Sequence, residues 1–240
     1  NKFIKEYKKI GSRKKRMNLP SAESLAEKII DYMNKCEAIE EIHPLGSLRR
    51  KAATVGDIDL AVSSKKPQQV VNHFTKFSQI KEVLESGERD ASILLRSGHQ
   101  IDLKIQHPRR YGALLQHYTG SKHHNIHLRN YANKMNLSLS EYGIKDLKTK
   151  ERHEFDSEKK FYNYLNLPFI PPELREDTGE IEAAKKKKLP GLVKIEDIKG
   201  DFHIHSDFNI EPSHDLGQSN MQTMIKQAQE LGYEYVCFSE

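Results

Sequence analysis

Residues 46–62 read Gly46-Ser47-Leu48-Arg49-Arg50-Lys51-Ala52-Ala53-Thr54-Val55-Gly56-Asp57-Ile58-Asp59-Leu60-Ala61-Val62, and they decide the fold. The second half predicts a short strand over 56–62. On a strand, side chains at i and i+2 share a face, so Asp57 and Asp59 stand together, opposite Ile58 and Leu60. Two such carboxylates repel unless a cation lies between them, and hard divalent ions such as Mg²⁺ take oxygen ligands. The first half is a donor-rich turn. Gly46 lets the backbone approach a ligand closely, Ser47 can donate to a phosphate oxygen, and Arg50 offers a bidentate fork. Arg49 faces either the ligand or a neighbouring acid. An Asp-x-Asp pair by itself is common on solvated edges. Placed after such a turn, it suits a nucleoside triphosphate and its metal.

A third strand carboxylate, Asp102, is flanked by Ile101 and Leu103. Strands are predicted near 90–96 and 99–106, joined at Ser97-Gly98, and a helix over 67–78 follows Pro67. Residues 41–106 therefore read as an α+β unit with a small mixed or antiparallel sheet. If the strands of Asp59 and Asp102 are adjacent, three carboxylates converge. That arrangement can hold two ions roughly 3.5–4 Å apart, as in-line phosphoryl or nucleotidyl transfer requires.

Before this unit, Leu19-Pro20-Ser21 opens a helix with Ser21 as N-cap and Leu25, Ile29 and Met33 at helical spacing. Residues 1–16 hold Lys2, Lys5, Lys8, Lys9, Arg13, Lys14, Lys15 and Arg16 against a single Glu6. This cluster is either a phosphate-backbone contact or a solvated helix end. Beyond Pro108, residues 111–135 read as helical runs broken at Thr119-Gly120-Ser121. A hairpin follows over 137–150 around Tyr142-Gly143, then a short helix over 161–165 and a stop at Pro168, Pro171 and Pro172. The run Lys185–Lys188 with Pro190-Gly191 reads as a linker. Strand 201–205, helix 219–231 and strand 233–238 make one β-α-β step, too small to bury both faces of a full domain.

Cys36 and Cys237 are the only cysteines and stand in no metal or redox spacing, which points to a reducing, cytoplasmic setting. No stretch approaches ~18 apolar residues and the start lacks a signal region, so no membrane partner is expected. The chain starts with Asn and stops just after a strand-like run, and both ends read as cut from a longer protein.

Taken together, Gly-Ser-Leu-Arg-Arg (46–50), Val-Gly-Asp-Ile-Asp-Leu (55–60), Ile-Asp-Leu (101–103), Tyr111 through Thr119-Gly120-Ser121-Lys122, Asn125, Leu128-Arg129, Glu141-Tyr142-Gly143 and Pro171 through Glu176 resemble the bacterial and archaeal family X DNA polymerases. The resemblance covers nearly all of the chain. It implies a nucleotidyltransferase palm (41–106), a nucleotide-selection, thumb-like α+β subdomain (107–184) and a linker (185–199). It also makes residues 1–40 the remnant of a helical DNA-binding subdomain. No Gly-x-Gly hairpin is found within 1–40, so the family's helix-hairpin-helix region is expected to be missing.

By the same resemblance, Asp57 and Asp59 are ligands shared by two Mg²⁺ or Mn²⁺ ions, and Asp102 is confined to the catalytic one. Gly46, Ser47 and Arg50 meet the triphosphate. Thr119-Gly120 packs on the incoming sugar, Asn125 touches the minor-groove edge of the incoming base, and Arg129 touches the template. Two departures stand out. His117-Tyr118 replaces the family's Tyr-Phe beside the sugar, so ribonucleotide discrimination is expected to differ. Lys122 replaces an acid found in some relatives and would contact phosphate or DNA.

Asp201-Phe202-His203-Ile204-His205-Ser206, with Ser213-His214-Asp215-Leu216-Gly217, resembles the start of an α/β polymerase-and-histidinol-phosphatase (PHP) domain over 200–240. His203 and His205 are implied ligands for Zn²⁺ or Mn²⁺, within a site left incomplete. The implied function is template-directed DNA synthesis at short repair gaps. Its partners would be gapped or primer-template DNA and deoxynucleoside triphosphates, with a monomeric protein in the nucleoid-containing cytoplasm. Two other readings stay open: a template-independent nucleotidyltransferase, and a DNA-binding scaffold for a PHP phosphoesterase or 3′-5′ exonuclease.

Overall fold

A computed structural model describes residues 16–209 and 216–239. Lys2–Lys15 of the basic cluster and Ser213-His214-Asp215 lie outside the described residues. Arg16 is described, and its guanidinium donates to Thr54 Oγ1 at 2.8 Å. The chain divides into two units between Leu189 and Pro190.

The first unit opens with β1 (Met17–Asn18) and α1 (Leu19–Met33). The cap of α1 is Asn18 and not Ser21: the Asn18 side chain accepts the Ser21 N–H at 3.0 Å. Pro20 fills a first-turn position that needs no N–H donor. Ala22, Ala26, Ile29 and Met33 form one buried stripe on α1, and this stripe belongs to the same apolar core as the sheet. The helix is thus part of the sheet's own core.

Next come β2 (Glu41–Pro44), the single turn α2 (Gly46–Arg49), β3 (Thr54–Val55), β4 (Ile58–Ser63), α3 (Pro67–Phe74), β5 (Ile80–Ser86), β6 (Asp90–Leu95) and β7 (Gln100–Gln106). Five of the strands make one mixed sheet in the order β2-β4-β7-β6-β5. Only the central β4–β7 pair is parallel. Ile58, Leu60, Val62, Ile101 and Leu103 are 0% exposed, each contributing about 1.5–3 kcal/mol of burial. The helix expected over 67–78 stops at Phe74, where Thr75 Oγ1 donates back to the Val71 carbonyl at 3.0 Å.

After a 3₁₀ turn come α4 (Tyr111–Thr119), α5 (Lys122–Asn133), β8 (Leu137–Ser140), β9 (Gly143–Asp146), β10 (Arg152–His153), α6 (Glu158–Tyr164) and α7 (Glu180–Lys185). They enclose a second core around Leu128, Ile144, Phe161, Tyr162 and Ile170. A small third cluster, Leu45, Ala61, Tyr111, Leu114 and Leu115, seats α4 on the sheet. There the Tyr111 hydroxyl donates to the Ala61 carbonyl at 3.1 Å. A side chain at Gly112 would strike the Ser157 backbone, with its Cβ 2.1 Å from a carbonyl carbon, so α4 and the entry to α6 can approach only at glycine. Lys185 closes α7, and the Lys188 N–H donates to the Ala183 carbonyl at 2.8 Å. The stretch read as linker therefore starts too early: residues up to Leu189 belong to the first unit.

The second unit holds β11 (Gly200–Ile204), α8 (Met221–Glu230) and β12 (Tyr235–Phe238), with β11 and β12 parallel. Among its described residues Ala228 is the one buried apolar side chain. Among the described residues of the chain, no helix is long and apolar enough to cross a membrane.

Candidate active site

Asp59 on β4 is in direct register with Asp102 on β7. In a parallel pair, residues in register project to the same face, so the two carboxylates stand side by side. Ile58, Leu60, Ile101 and Leu103 fill the opposite face, and the same alternation that builds the core therefore builds the ledge. Asp57 sits at the bend just before β4, so its expected place on the strand is corrected: it precedes the ladder. All three carboxylates are half-buried. Asp102 Oδ1 accepts from Ser92 Oγ at 2.5 Å and from Gln100 Nε2 at 2.9 Å. Among the described residues no three His, Cys, Asp or Glu side chains are gathered tightly enough to hold a metal ion.

The turn over the ledge fits glycine for two reasons. Gly46 has φ +56°, and a Cβ there would lie 3.1 Å from Asp59 Oδ2. The Leu45 N–H donates to the Asp59 carbonyl at 2.8 Å, tying this turn to β4. At the other end of the turn the two neighbouring arginines part. Arg49 turns inward, donating to Glu158 Oε2 and Thr119 Oγ1, each at 2.6 Å. Glu158 also takes Arg175 at 2.6 Å, and Arg175 is fully buried. Burial by itself would raise the Glu158 pKa, but Arg175 and Arg49 outweigh it and hold the carboxyl below its ordinary range. Arg49 thus meets a neighbouring acid. Arg50 turns the other way, with Nη1 on the Thr119 carbonyl at 2.5 Å and Nε on Glu176 at 2.6 Å, and is no more exposed than Arg49.

Arg50 forms one wall of an open cleft of about 490 Å³. The other walls come from the end of α4 and the start of α5: His117, Tyr118, Thr119, Gly120, Lys122, Asn125 and Arg129. Gly120 takes φ +72°, the Gly120–Ser121 peptide is cis, and Ser121 Oγ accepts the His124 N–H as the cap of α5. Burial lowers the His117 pKa, although Glu141 opposes the shift. Tyr118 is shifted upward by burial first and then by acidic neighbours that include Asp59. Lys122 and Arg129 are exposed at the rim. Ser47 is half-buried in the turn. His123 is exposed, whereas His124 is 0% exposed and lies between Glu180 and the Tyr162 hydroxyl.

Residues 114–176 match the family model described as DNA polymerase beta thumb. The whole chain is 30% identical, over 241 residues, to the DNA polymerase/3′-5′ exonuclease PolX of Bacillus subtilis (strain 168). The chain is thus similar to PolX along its whole length. The alignment takes in 100% of the chain and 41% of that relative, so the chain spans about two fifths of the relative's length. Its α+β architecture, with a mixed sheet and a thumb-like region, agrees with that kinship.

In the second unit, the His203 and His205 rings lie 5.0 Å apart. Regular strand alternation is not what pairs them. His203 has φ +59°, the ladder slips between Phe202 and Ile204, and His205 lies beyond the end of β11. His205 Nδ1 is buried with no hydrogen-bond partner among the described residues. Glu158, Gln116 and Glu180 carry weight in the first unit, yet the sequence reading gave them no role. Glu158 lies 109 residues from Arg49, a separation that no local periodicity reveals.

Proposed function

We propose that the first unit performs template-directed transfer of a deoxynucleotide to a primer 3′-hydroxyl, with Asp57, Asp59 and Asp102 as its acidic ledge. The observation that carries this is the register of Asp59 with Asp102 beneath the Gly46 turn, whose far end supplies Arg50 to the cleft. The relative's name supports the same reading. In this proposal residues 41–106 are the palm and 107–184 the nucleotide-selection and thumb-like subdomain.

Asp59 and Asp102, in register beside the Gly46 turn, offer oxygen donors of the kind a hard divalent ion takes, and Asp57 would have to draw in to complete the set. Bound Mg²⁺ or Mn²⁺ would supply the charge that activates the hydroxyl and offsets the leaving diphosphate. The remaining work falls to side chains of the chain. Ser47 and Arg50 bind phosphate oxygens, with Arg50 exchanging the Glu176 carboxylate for a phosphate of the same charge sign. Asp102 takes the hydroxyl proton. Thr119, Gly120, His117 and Tyr118 line the sugar, Asn125 reads the minor-groove edge, and Arg129 with Lys122 holds DNA. Acceptors at that edge are nearly the same for every correct base pair, so one donor can test them all.

For the second unit we propose the start of a PHP domain, with His203 and His205 as nitrogen ligands for Zn²⁺ or Mn²⁺. The orphaned His205 Nδ1 supports this. The test of the main proposal is extension of a primer across a one-nucleotide gap, with each deoxynucleotide in Mg²⁺ and then Mn²⁺. Addition of only the complementary nucleotide is expected. Addition that ignores the template base would replace this reading with a template-independent transferase. Binding of DNA without addition would favour a scaffold.

A further inference from the structure

The cleft contains one side chain whose orientation is fixed from both ends. The carboxamide of Asn125 donates from Nδ2 to the His117 carbonyl at 2.7 Å. Its Oδ1 accepts from Gln116 Nε2 at 2.8 Å. A backbone carbonyl can only accept, so the amide cannot be turned the other way round without losing that bond. The second N–H of Nδ2 is then left for the cleft that Asn125 lines.

Gln116 is itself held from behind. It is 3% exposed and lies near the hydroxyl of Tyr162, which is 0% exposed. That hydroxyl lies 3.0 Å from His124 Nε2, and His124 Nδ1 lies 2.6 Å from Glu180. Every direction in this chain follows from its inner end. Glu180 is ionised, with its carboxyl brought down to about 2: burial opposes this, but the hydrogen bonds from His124 and from backbone N–H groups win. A carboxylate only accepts, so His124 donates from Nδ1. Neutral His124 then accepts at Nε2 from the Tyr162 O–H, which leaves the Tyr162 oxygen an acceptor.

We infer that Gln116 is a positioning residue for the incoming nucleotide: it holds the Asn125 carboxamide so that an N–H, and not the amide oxygen, meets the acceptor on the minor-groove edge of the base. The inference rests on the polymerase reading. It adds a residue that touches no substrate and acts through Asn125. It also ties base-pair testing in the cleft to the polar core of the thumb-like region.

The test compares single-turnover addition, opposite template dC, of dGTP and of its analogue with the purine N3 replaced by C–H. The unsubstituted chain should favour dGTP about tenfold, the value of one hydrogen bond. In Gln116→Met, which keeps the length and loses the donor, that preference should fall to within about twofold. Asn125→Ala should abolish it. Gln116→Asn, which stays polar but is too short to span the same gap, should behave like Gln116→Met and covers the case in which the methionine variant fails to fold. A purely structural role for Gln116 would lower both nucleotides equally and leave the preference intact. The full preference in either Gln116 variant overturns the inference while leaving the polymerase reading standing. Templated addition without any preference in the unsubstituted chain removes the Asn125 contact and the inference with it. No templated addition at all removes the polymerase reading as well.

Discussion

In the five-stranded sheet, apolar and polar side chains alternate along β7, and along β4 they do so at Ile58-Asp59-Leu60 before both faces are buried. Ile58, Leu60, Ile101 and Leu103 point into the core, and Asp59 and Asp102 stand half-exposed on the other face. The region from Tyr111 to Leu189 does the opposite. Its core encloses Arg175, Glu158, His124 and Glu180, each no more than 5% exposed, and every one is paired. The sheet thus keeps these carboxylates on its half-exposed face, beside the Gly46 turn. The thumb-like region spends its charges on one another and uses them to fix geometry. Buried pairs add little net stability when complete, but losing one partner is costly.

That contrast is easiest to break at Glu158. Glu158→Gln strips the counter-charge from buried Arg175 and from Arg49, and should cost about 3–5 kcal/mol in urea unfolding. A variant as stable as the parent would show that the network is ornamental. In the sheet, Leu60→Ala should cost about 2–5 kcal/mol through the cavity it leaves, with no dependence on salt or pH.

The same contrast explains what the sequence made legible. Period-two alternation around Asp59 and Asp102 marks β4 and β7, because strands buried on one face must alternate. It does not mark β5: most of that strand is exposed and its register slips at two places, so no apolar period survives. Nor could it assign Arg49 and Arg50 their separate fates, since their partners Glu158 and Glu176 lie 109 and 126 residues away. The cap of α1 was missed by three residues because Ser21 and Asn18 are both good caps, and only the backbone decides which one is used. His124 sits amid motif residues, yet the helical turn points it inward.

Smaller effects sharpen the comparison further. Arg50→Ala should raise the KM for deoxynucleotides about tenfold or more, the value of a charge-assisted contact, with stability nearly unchanged. His124 is buried neutral with a lowered pKa, burial being the main cause. The folded state then holds fewer protons than the unfolded state as the pH drops below the ordinary histidine value near 6.5. Stability should therefore fall between pH 7 and 5, by at most about 1.4 kcal/mol per pH unit for one proton. His124→Gln should flatten that slope. Glu180 has the acid's sign: its contribution is present above the ordinary carboxyl value and is lost as the pH falls toward about 2. Unfolding at pH 4 and pH 2.5 would separate this second loss from the first.

The most direct measurement is gap filling by Asp102→Asn beside the unsubstituted chain. Asparagine keeps the shape and the place in β7, so stability should stay within about 1 kcal/mol. Addition of the complementary deoxynucleotide should fall by at least about 10³-fold, because the carboxylate paired with Asp59 is gone. Addition at the parent's rate would contradict the assignment of this ledge as the reacting centre.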